Sequence, residues 1–337
     1  KSVEPEVSVT AICEFVLPDI YCPFPAAFAH SRHPAATEVE LAMTSALPED
    51  GNTLIRRSVS GIHLVDHAGR LYPDVTTAGL HTVTWYFLLF SVLDECSEQQ
   101  DGGGQTFNPE TLRHIHRTAL RLLDQPDASS DDDLDITRIV RPLRRFLNAL
   151  GDRNAHKNFR NAFERSLRAR IWELDHLRTA SIPSLAVYPR LRRQSSMAVP
   201  LLELHPVLFG LAGSVRSLDH PAIRQLRTML LNCVLWSNDL LSLAKELRDG
   251  SCMNLALVLQ KDRGCALQQA VDEVAWLIER ETLAYLDLKG QLPRIGIGSS
   301  QELASVTALL DREERWHADS IEWHSCPRYQ AGPSQRR

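Results

Sequence analysis

The segment 77–98 places the strongest limit on the fold, because it is apolar on most faces of the helix that its periodicity predicts. A helix of this kind must be surrounded by other elements. Helical periodicity dominates from Glu38 onward, and we find no convincing alternation of apolar and polar residues of the type that a half-buried strand shows. No GxGxxG or GxxxxGK[ST] motif follows a strand, which disfavours a Rossmann or P-loop fold. The sequence therefore predicts an all-α bundle.

The chain is expected to form one domain. Prolines at positions 18, 23, 25 and 34 interrupt any helix near the start, so residues 1–36 are predicted to be an irregular arm that packs over the bundle. Residues 37–329 would form the helical domain, and 330–337 a disordered tail. Long helices are predicted at 77–98, 109–124, 136–150, 158–179, 222–247, 267–290 and 301–322. The helical pattern that resumes near Arg190 is expected to pause near Pro206 and Pro221.

Charge and cysteine content exclude several classes of protein. The 337 residues include 37 Lys and Arg against 42 Asp and Glu, a net charge of -5, whereas a nucleic-acid-binding protein usually has a basic excess. The longest apolar run, 85–93, is far shorter than the roughly 18 residues of a membrane span. The seven cysteines are odd in number and include no CxxC pair, which argues against a disulfide framework or a zinc ribbon. No signal peptide is evident, and we predict a cytoplasmic protein without a membrane span or nucleic-acid partner.

Three oxygen-bearing side chains recur at intervals of four in an otherwise apolar helix. Asn238, Ser242 and Glu246 project from one helical face. Amide, hydroxyl and carboxylate oxygens are hard ligands, which suit Mg²⁺ better than zinc or copper. Lys245 adds an ammonium group beside them, which suggests that the bound partner is an anion such as phosphate. A polar face that merely meets solvent is the alternative, but the apolar flanks favour a site.

Two acidic clusters compete for the role of a second metal site. Asp94 and Glu98 lie four residues apart at the end of the apolar helix, so that both carboxylates share a face. A solvated helix end is the other interpretation of this pair. The run 131–135 also contains a literal DDxxD pattern, but it lies in a Ser- and Asp-rich loop without an apolar helix before it. We interpret that run as solvated charge and a helix cap.

These segments resemble the metal motifs of class I terpene synthases of the bacterial type. Residues 238–246 match the family pattern (N/D)Dxx(S/T)xx(K/R)E, and residues 94–98 look like DDxx(D/E), with Glu95 in place of the second Asp. Segments 15–25 and 254–260 are also similar to the family, so the resemblance extends from about Phe15 to Tyr329. It implies a single-domain helical bundle with a central active-site cavity.

The resemblance also implies contacts with a diphosphate. The positions that match the family's diphosphate-binding residues are Arg192, Lys245, Arg328 and Tyr329. Arg192 would be the diphosphate sensor, with Ser195 as the linker and Ser196 as the effector, which acts through its carbonyl group. Ser196 stands where the family often has Gly. Arg190 and Arg193 remain rival candidates for the sensor.

The activity implied is that of a Mg²⁺-dependent terpene cyclase, a carbon–oxygen lyase acting on phosphates. Three Mg²⁺ ions and the arginines would promote ionisation of an allylic prenyl diphosphate, and farnesyl diphosphate is the expected substrate. The cation would then cyclise to a sesquiterpene as pyrophosphate is released. Phe87, Phe90 and Trp323 are candidates for stabilising the cation by cation–π attraction, with plain core packing as the alternative.

Several alternatives stay open at this point. A diterpene cyclase acting on geranylgeranyl diphosphate would use the same metal motifs. A prenyl-chain-elongating synthase would need a second aspartate-rich motif, and the second motif here is of the Asn–Ser–Glu type instead. A helical binding protein without activity would neither need magnesium nor release pyrophosphate. Both a monomer and a homodimer are compatible with the sequence.

Overall fold

The computed structural model describes residues 15–47, 64–98, 109–125 and 135–324, although the side chains of 95–98 and 135 are not described. Within these ranges the chain forms twelve α-helices and no strand, which confirms the predicted all-α class. The helices are α1 (Ala36–Ala46), α2 (Leu64–Leu71), α3 (Thr77–Glu98), α4 (Pro109–Asp124), α5 (Asp135–Ala149), α6 (Arg153–Arg178), α7 (Tyr188–Ser195), α8 (Ala198–Leu208), α9 (Pro221–Arg248), α10 (Leu255–Arg263), α11 (Leu267–Ile295) and α12 (Ser300–His324).

The apolar helix α3 lies in the largest core cluster, as its composition predicts. Leu80, Val83, Leu88, Leu89 and Leu93 are all 0% exposed. The helix packs against α2 and α5, while α9 packs against α11, α12 and α10. The two helices that carry the predicted metal motifs are therefore both internal elements of the bundle, held by neighbours on several sides.

Some predicted helix boundaries are wrong for identifiable reasons. Helix α6 begins at Arg153 rather than 158, because the Asp152 carboxylate caps it by accepting hydrogen bonds from the backbone N–H groups of Asn154 (2.8 Å) and Ala155 (3.0 Å). Helix α11 continues past 290 to Ile295. It ends where Gly296 adopts a left-handed conformation with φ +79°.

The expected pause near Pro206 and Pro221 is found between Leu208, where α8 ends, and Pro221, where α9 begins. Pro206 itself is still helical. It lies inside α8 and lacks the N–H that would bond to the carbonyl of Leu202 one turn earlier. Arg227 supplies the missing donor, since its Nη2 lies 2.5 Å from the Leu202 carbonyl oxygen. A side chain of α9 thus makes a proline tolerable within α8.

The described part of the N-terminal segment contacts the last helix. Residues 15–35 contain no helix, and the Asp319 carboxylate of α12 accepts hydrogen bonds from the backbone N–H groups of Ala27 (2.6 Å) and Phe28 (2.9 Å). Phe24 packs edge-on against Tyr285 with ring centroids 5.9 Å apart. These contacts attach the segment to α12 and α11. The domain boundaries stay a prediction.

The described helices include none that is both long enough and apolar enough to cross a membrane.

Candidate active site

The polar face of α9 is held together by hydrogen bonds between its own side chains. Ser242 Oγ lies 2.8 Å from Glu246 Oε1 and 2.7 Å from the backbone carbonyl oxygen of Asn238, so its single proton can be given to either. Asn254, which caps α10, donates from Nδ2 to Glu246 Oε2 at 2.8 Å. Burial, together with the nearby charge of Asp239, raises the pKa of Glu246 to about 7.

Asn238 lies between an arginine and a histidine. Arg192 Nη2 donates to Asn238 Oδ1 at 2.9 Å, and Asn238 Nδ2 lies 2.8 Å from His324 Nε2. His324 Nδ1 is 2.6 Å from the carbonyl oxygen of Ser320, which can only accept, so Nδ1 carries the proton and Nε2 accepts from Asn238. These contacts fix which way the amide of Asn238 points.

Arg192 is oriented toward Asn238 by a buried carboxylate. Asp239 is 0% exposed and accepts from Arg192 Nε at 3.2 Å, from the Tyr188 hydroxyl at 2.8 Å and from the Leu255 N–H at 3.0 Å. Burial opposes the charge on Arg192, but Asp239 together with Tyr188, Glu173 and Glu246 outweighs it, and the pKa of the guanidinium is raised well above its usual value. The guanidinium therefore stays charged beside the metal motif.

Asp94 shares one face of α3 with two aromatic residues. Phe87, Phe90 and Asp94 are spaced three and four apart and share this face. All three retain accessible surface, whereas Leu88 and Leu89 between them are fully buried. The Asp94 side chain is 44% exposed. This face of an otherwise packed helix is therefore only partly covered by neighbouring side chains.

Arg170 of α6 joins Asp94 to the end of α7 and was not predicted as a site residue. Its Nη2 donates to Asp94 Oδ1 at 3.0 Å, and its Nη1 lies 3.5 Å from the carbonyl oxygen of Ser195. The guanidinium carbon is 5.9 Å from the centre of the Phe90 ring, within the range of a cation–π contact. The Arg170 side chain is only 4% exposed, so it links these groups from within the bundle.

His67 of α2 joins two of the predicted aromatic residues. Its ring stacks on Trp323 with centroids 4.0 Å apart, and on Phe87 with centroids 5.1 Å apart. Burial lowers the pKa of His67 to about 3, so the imidazole is neutral. Phe87 and Trp323 thus both stack on one imidazole ring, and Trp323 immediately precedes the His324 that contacts Asn238.

The remaining candidates that the structure describes have other contacts or positions. Arg193, a rival for the sensor role, points elsewhere, because its Nη1 donates to Asn232 Oδ1 at 2.9 Å. Lys245 pairs with Asp249 at 3.0 Å, one turn further along α9. Ser196 lies in the break between α7 and α8.

Other predicted residues lie beyond what the structure describes. Arg328 and Tyr329 fall outside the described ranges, as does nearly all of the acidic run 131–135. Glu98 belongs to the last turn of α3, but its side chain is not described. Their proposed roles therefore stay predictions.

The residues on α9 fit a hard divalent cation by their donor chemistry. The amide oxygen of Asn238, the hydroxyl of Ser242 and the carboxylate of Glu246 are the ligand types that Mg²⁺ prefers. Among the side chains that the structure describes, no three His, Cys, Asp or Glu residues converge as a metal-binding group. A metal site on α9 therefore depends on neutral oxygen donors beside a single carboxylate, with Asp94 on a separate helix.

Comparison with known proteins identifies the fold and the family of this chain. Germacradien-4-ol synthase from Streptomyces citricolor superposes with a TM-score of 0.72 at 19% identity, covering 95% of this chain and 99% of that one. An α-eudesmol synthase gives a TM-score of 0.73 at 18% identity, covering 91% and 98%. At these identities the likeness establishes the fold alone, which is that of class I terpene synthases.

Sequence relatives extend over most of the chain. Bonnadiene synthase of Allokutzneria albata is 26% identical over 333 residues, covering 95% of this chain and 87% of the relative. A 4-epi-cubebol synthase of Streptosporangium roseum, described as (2E,6E)-farnesyl diphosphate cyclizing, is 26% identical over 315 residues, covering 91% and 90%. Residues 86–282, more than half of the chain, match the family described as terpene synthase family 2, C-terminal metal binding. The chain belongs to this family, and it is an enzyme, a lyase acting on prenyl diphosphates.

Proposed function

We propose that this protein is a Mg²⁺-dependent sesquiterpene cyclase that ionises farnesyl diphosphate, cyclises the resulting cation and releases pyrophosphate. The observation that carries the proposal is the 2.9 Å hydrogen bond from Arg192 Nη2 to Asn238 Oδ1. It brings the arginine that matches the family's diphosphate sensor to the first residue of the metal motif. A single diphosphate group could then contact both Arg192 and a metal ion held by this motif.

Farnesyl diphosphate is the proposed substrate because of a sequence relative. The 4-epi-cubebol synthase is described as cyclizing (2E,6E)-farnesyl diphosphate, and its 26% identity covers 91% of this chain. The chemistry of ionisation is the same for other allylic diphosphates. Chain length is therefore the part of the proposal that depends on the relative rather than on the site.

Ionisation breaks the bond between the allylic carbon and the diphosphate oxygen, and both electrons leave with the oxygen. Asn238, Ser242 and Glu246 provide a row of oxygen ligands, and Asp94 provides one from α3. Three magnesium ions, held by these oxygens when bound, supply positive charge that stabilises the departing pyrophosphate. Arg192 donates N–H groups to the same anion, and its planar guanidinium suits phosphate oxygens in pairs. In this role Arg192 exchanges its bond to Asn238 for bonds to the substrate.

The allylic cation needs an environment that stabilises charge without reacting with it. Phe90 and Phe87 lie one and two turns before Asp94 on the same face of α3. Their rings would therefore lie next to the metal site, on its side toward the interior of the bundle. Aromatic faces attract a cation by about 2 kcal/mol when desolvated. The neutral His67 ring extends this surface to Trp323. We propose that the hydrocarbon chain folds along this aromatic surface, where water is excluded.

Other features of the proposal concern the protein as a whole. The described cysteines 22, 233, 252 and 265 are free thiols, which fits a reducing compartment such as the cytoplasm. We propose that the enzyme acts there as a monomer or homodimer. Arg328, Tyr329 and Lys245 are proposed to add contacts to the diphosphate, and Glu98 to assist Asp94.

The test is pyrophosphate release from farnesyl diphosphate in the presence and absence of Mg²⁺. Asn238→Ala and Glu246→Ala are expected to lose turnover while circular dichroism reports unchanged helix content. Glu279→Ala, which removes an exposed carboxylate from α11, is the matched control and should turn over like the wild type. Equal rates in all four proteins, or release that is independent of Mg²⁺, would refute the assignment.

A further inference from the structure

The break between α7 and α8 contains a residue in an unfavourable backbone conformation. Met197 has φ +62° and ψ 7°, the left-handed region, which costs a non-glycine residue about 1 kcal/mol or more. Its side chain is also 2% exposed, so Met197 is not a loosely held surface residue. A strained conformation persists only where surrounding contacts enforce it.

A hydrogen bond from α3 reaches the backbone of Met197. The hydroxyl of Tyr86 donates to the backbone carbonyl oxygen of Met197 at 2.5 Å. Tyr86 is 1% exposed, and burial raises the pKa of its phenol well above the usual value, so the hydroxyl keeps its proton and remains a donor. Tyr86 also lies about two turns before Asp94 on the same helix. The break is therefore fastened to the helix that carries the aspartate-rich motif.

The backbone carbonyl of Ser196, next to Met197, lacks the donor that a continuous helix would give it. That donor would be the N–H of residue 200, but Pro200 has none. Within α8, Pro206 likewise deprives the Leu202 carbonyl of its helical donor, but there Arg227 donates a hydrogen bond instead. The Ser196 carbonyl differs in having no such replacement, since none of the residues that the structure describes donates to it.

A carbonyl in this position suits a cationic ligand. It follows the C-terminal end of α7, where the helix dipole is negative and favours positive charge. The break is also close to the aspartate-rich motif, because Arg170 contacts both the Ser195 carbonyl and Asp94. The partial negative charge of the Ser196 carbonyl oxygen would stabilise a cation formed near Asp94 if the carbonyl is directed toward that cation.

We propose that Tyr86 is a positioning residue, whose hydroxyl holds Met197 in the left-handed conformation and thereby aims the Ser196 carbonyl at the carbocation. The proposal rests on the proposed cyclase function. Tyr86 itself touches neither substrate nor metal. It acts through the backbone of the break, so its contribution concerns the transition state rather than the binding of substrate.

The first experiment compares Tyr86→Phe with Tyr72→Phe. Tyr72 belongs to the same core cluster and is also 1% exposed, but its hydroxyl lies 3.0 Å from His205 Nε2, away from the break. Tyr86→Phe should lower kcat for pyrophosphate release about tenfold, the equivalent of one hydrogen bond, without raising KM. It should also broaden the product mixture, whereas Tyr72→Phe should do neither. Identical kcat and products in both variants would overturn the proposal.

The second experiment tests the strain itself. In the Tyr86→Phe background, Met197→Gly removes the penalty for the left-handed conformation, because Gly adopts it freely. Met197→Ala truncates the side chain almost equally but retains the penalty. The Gly double variant should recover part of the lost kcat, and the Ala double variant should not. Equal kcat in the two double variants contradicts a role for Tyr86 in holding Met197.

A readout that is independent of turnover separates the two hypotheses. Amide hydrogen exchange across 195–201 should accelerate in Tyr86→Phe and stay at the wild-type rate in Tyr72→Phe. If the wild type turns over no prenyl diphosphate while exchange behaves as expected, the cyclase function fails but the fastening of the break by Tyr86 stands. Unchanged exchange in Tyr86→Phe refutes the fastening, whatever the activity.

Discussion

The side-chain amide of Asn238 donates to Nε2 of His324 across 2.8 Å, which connects the metal motif on α9 to the last turn of α12. The carbonyl oxygen of Ser320 fixes the imidazole from its other side. His324 therefore decides the orientation of the amide and turns Asn238 Oδ1 toward Arg192, where it would bind the proposed cation once Arg192 moves to the substrate. Residues that orient metal ligands in this way often affect metal affinity as strongly as weak ligands do.

Removing this partner should weaken magnesium binding. We expect His324→Phe to raise the Mg²⁺ concentration needed for half-maximal turnover by about tenfold, because the amide of Asn238 loses its fixed orientation. His317→Phe, at a buried position on the same helix that does not contact Asn238, is the control. A magnesium titration of turnover measures both. An unchanged Mg²⁺ requirement in His324→Phe contradicts the role of His324.

The neighbouring arginines Arg192 and Arg193 provide a direct comparison of two positions. Arg192 contacts Asn238, whereas Arg193 contacts Asn232. We expect Arg192→Gln to lower kcat by roughly two to three orders of magnitude, as losing a donor to a developing anion does. Arg193→Gln should change kcat by less than about tenfold. Steady-state kinetics with farnesyl diphosphate distinguishes the two, and a larger loss in Arg193→Gln would move the sensor assignment to that residue.

Asp239 should matter for stability as much as for activity. Replacing it with Asn leaves the buried Arg192 without its charged partner, and we expect the free energy of unfolding to fall by about 3 kcal/mol or more. Tyr188→Phe removes only one of the hydrogen bonds to Asp239 and should lower it by about 1 kcal/mol. Urea denaturation at neutral pH tests both. Equal losses in the two variants would mean that the charge pair adds nothing.

Buried histidines should make the protein sensitive to acid. Burial lowers the pKa of His116 to about 3, from 6.5 in the unfolded chain. Between these pH values the unfolded state binds a proton that the folded state excludes. The free energy of unfolding should therefore fall as the pH decreases below 6.5, by about 1.4 kcal/mol per pH unit for each such group.

The contribution of His116 can be isolated on its own helix. His116→Phe should make the decline of stability between pH 6.5 and 5 less steep, whereas His114→Phe, at an exposed position of α4, should leave it unchanged. Chemical denaturation at several pH values measures the slope. The same slope in both variants would show that His116 is not neutral in the folded protein.

Local sequence patterns predict much of this molecule. The extent of α3 follows from its apolar periodicity, and the spacing of Asn238, Ser242 and Glu246 predicts the polar stripe on α9. Arg170 and His324 do not follow from such patterns, for a physical reason. Their partners lie 76 and 86 residues away in the chain, and contacts of this range leave no local periodicity.

Arg170 illustrates the difficulty further. Helix α6 also carries Arg165 and Arg168, which are exposed, so a third arginine two positions later looks like another solvated residue. Only packing shows that Arg170 is buried and pairs with Asp94. The family pattern already favours Arg192 over Arg193, but the contacts of each need the orientation of α7, because one residue along a helix turns a side chain by about 100°.

The most direct test of the central claim is an analysis of organic products by gas chromatography–mass spectrometry. The purified protein would be incubated with Mg²⁺ and, separately, with geranyl, farnesyl and geranylgeranyl diphosphate, each with a parallel sample containing EDTA. We predict a cyclic C15 hydrocarbon or alcohol from farnesyl diphosphate alone, and none with EDTA. A cyclic product from geranylgeranyl diphosphate alone would contradict the proposed chain length, and the absence of any cyclic product would contradict the assignment as a cyclase.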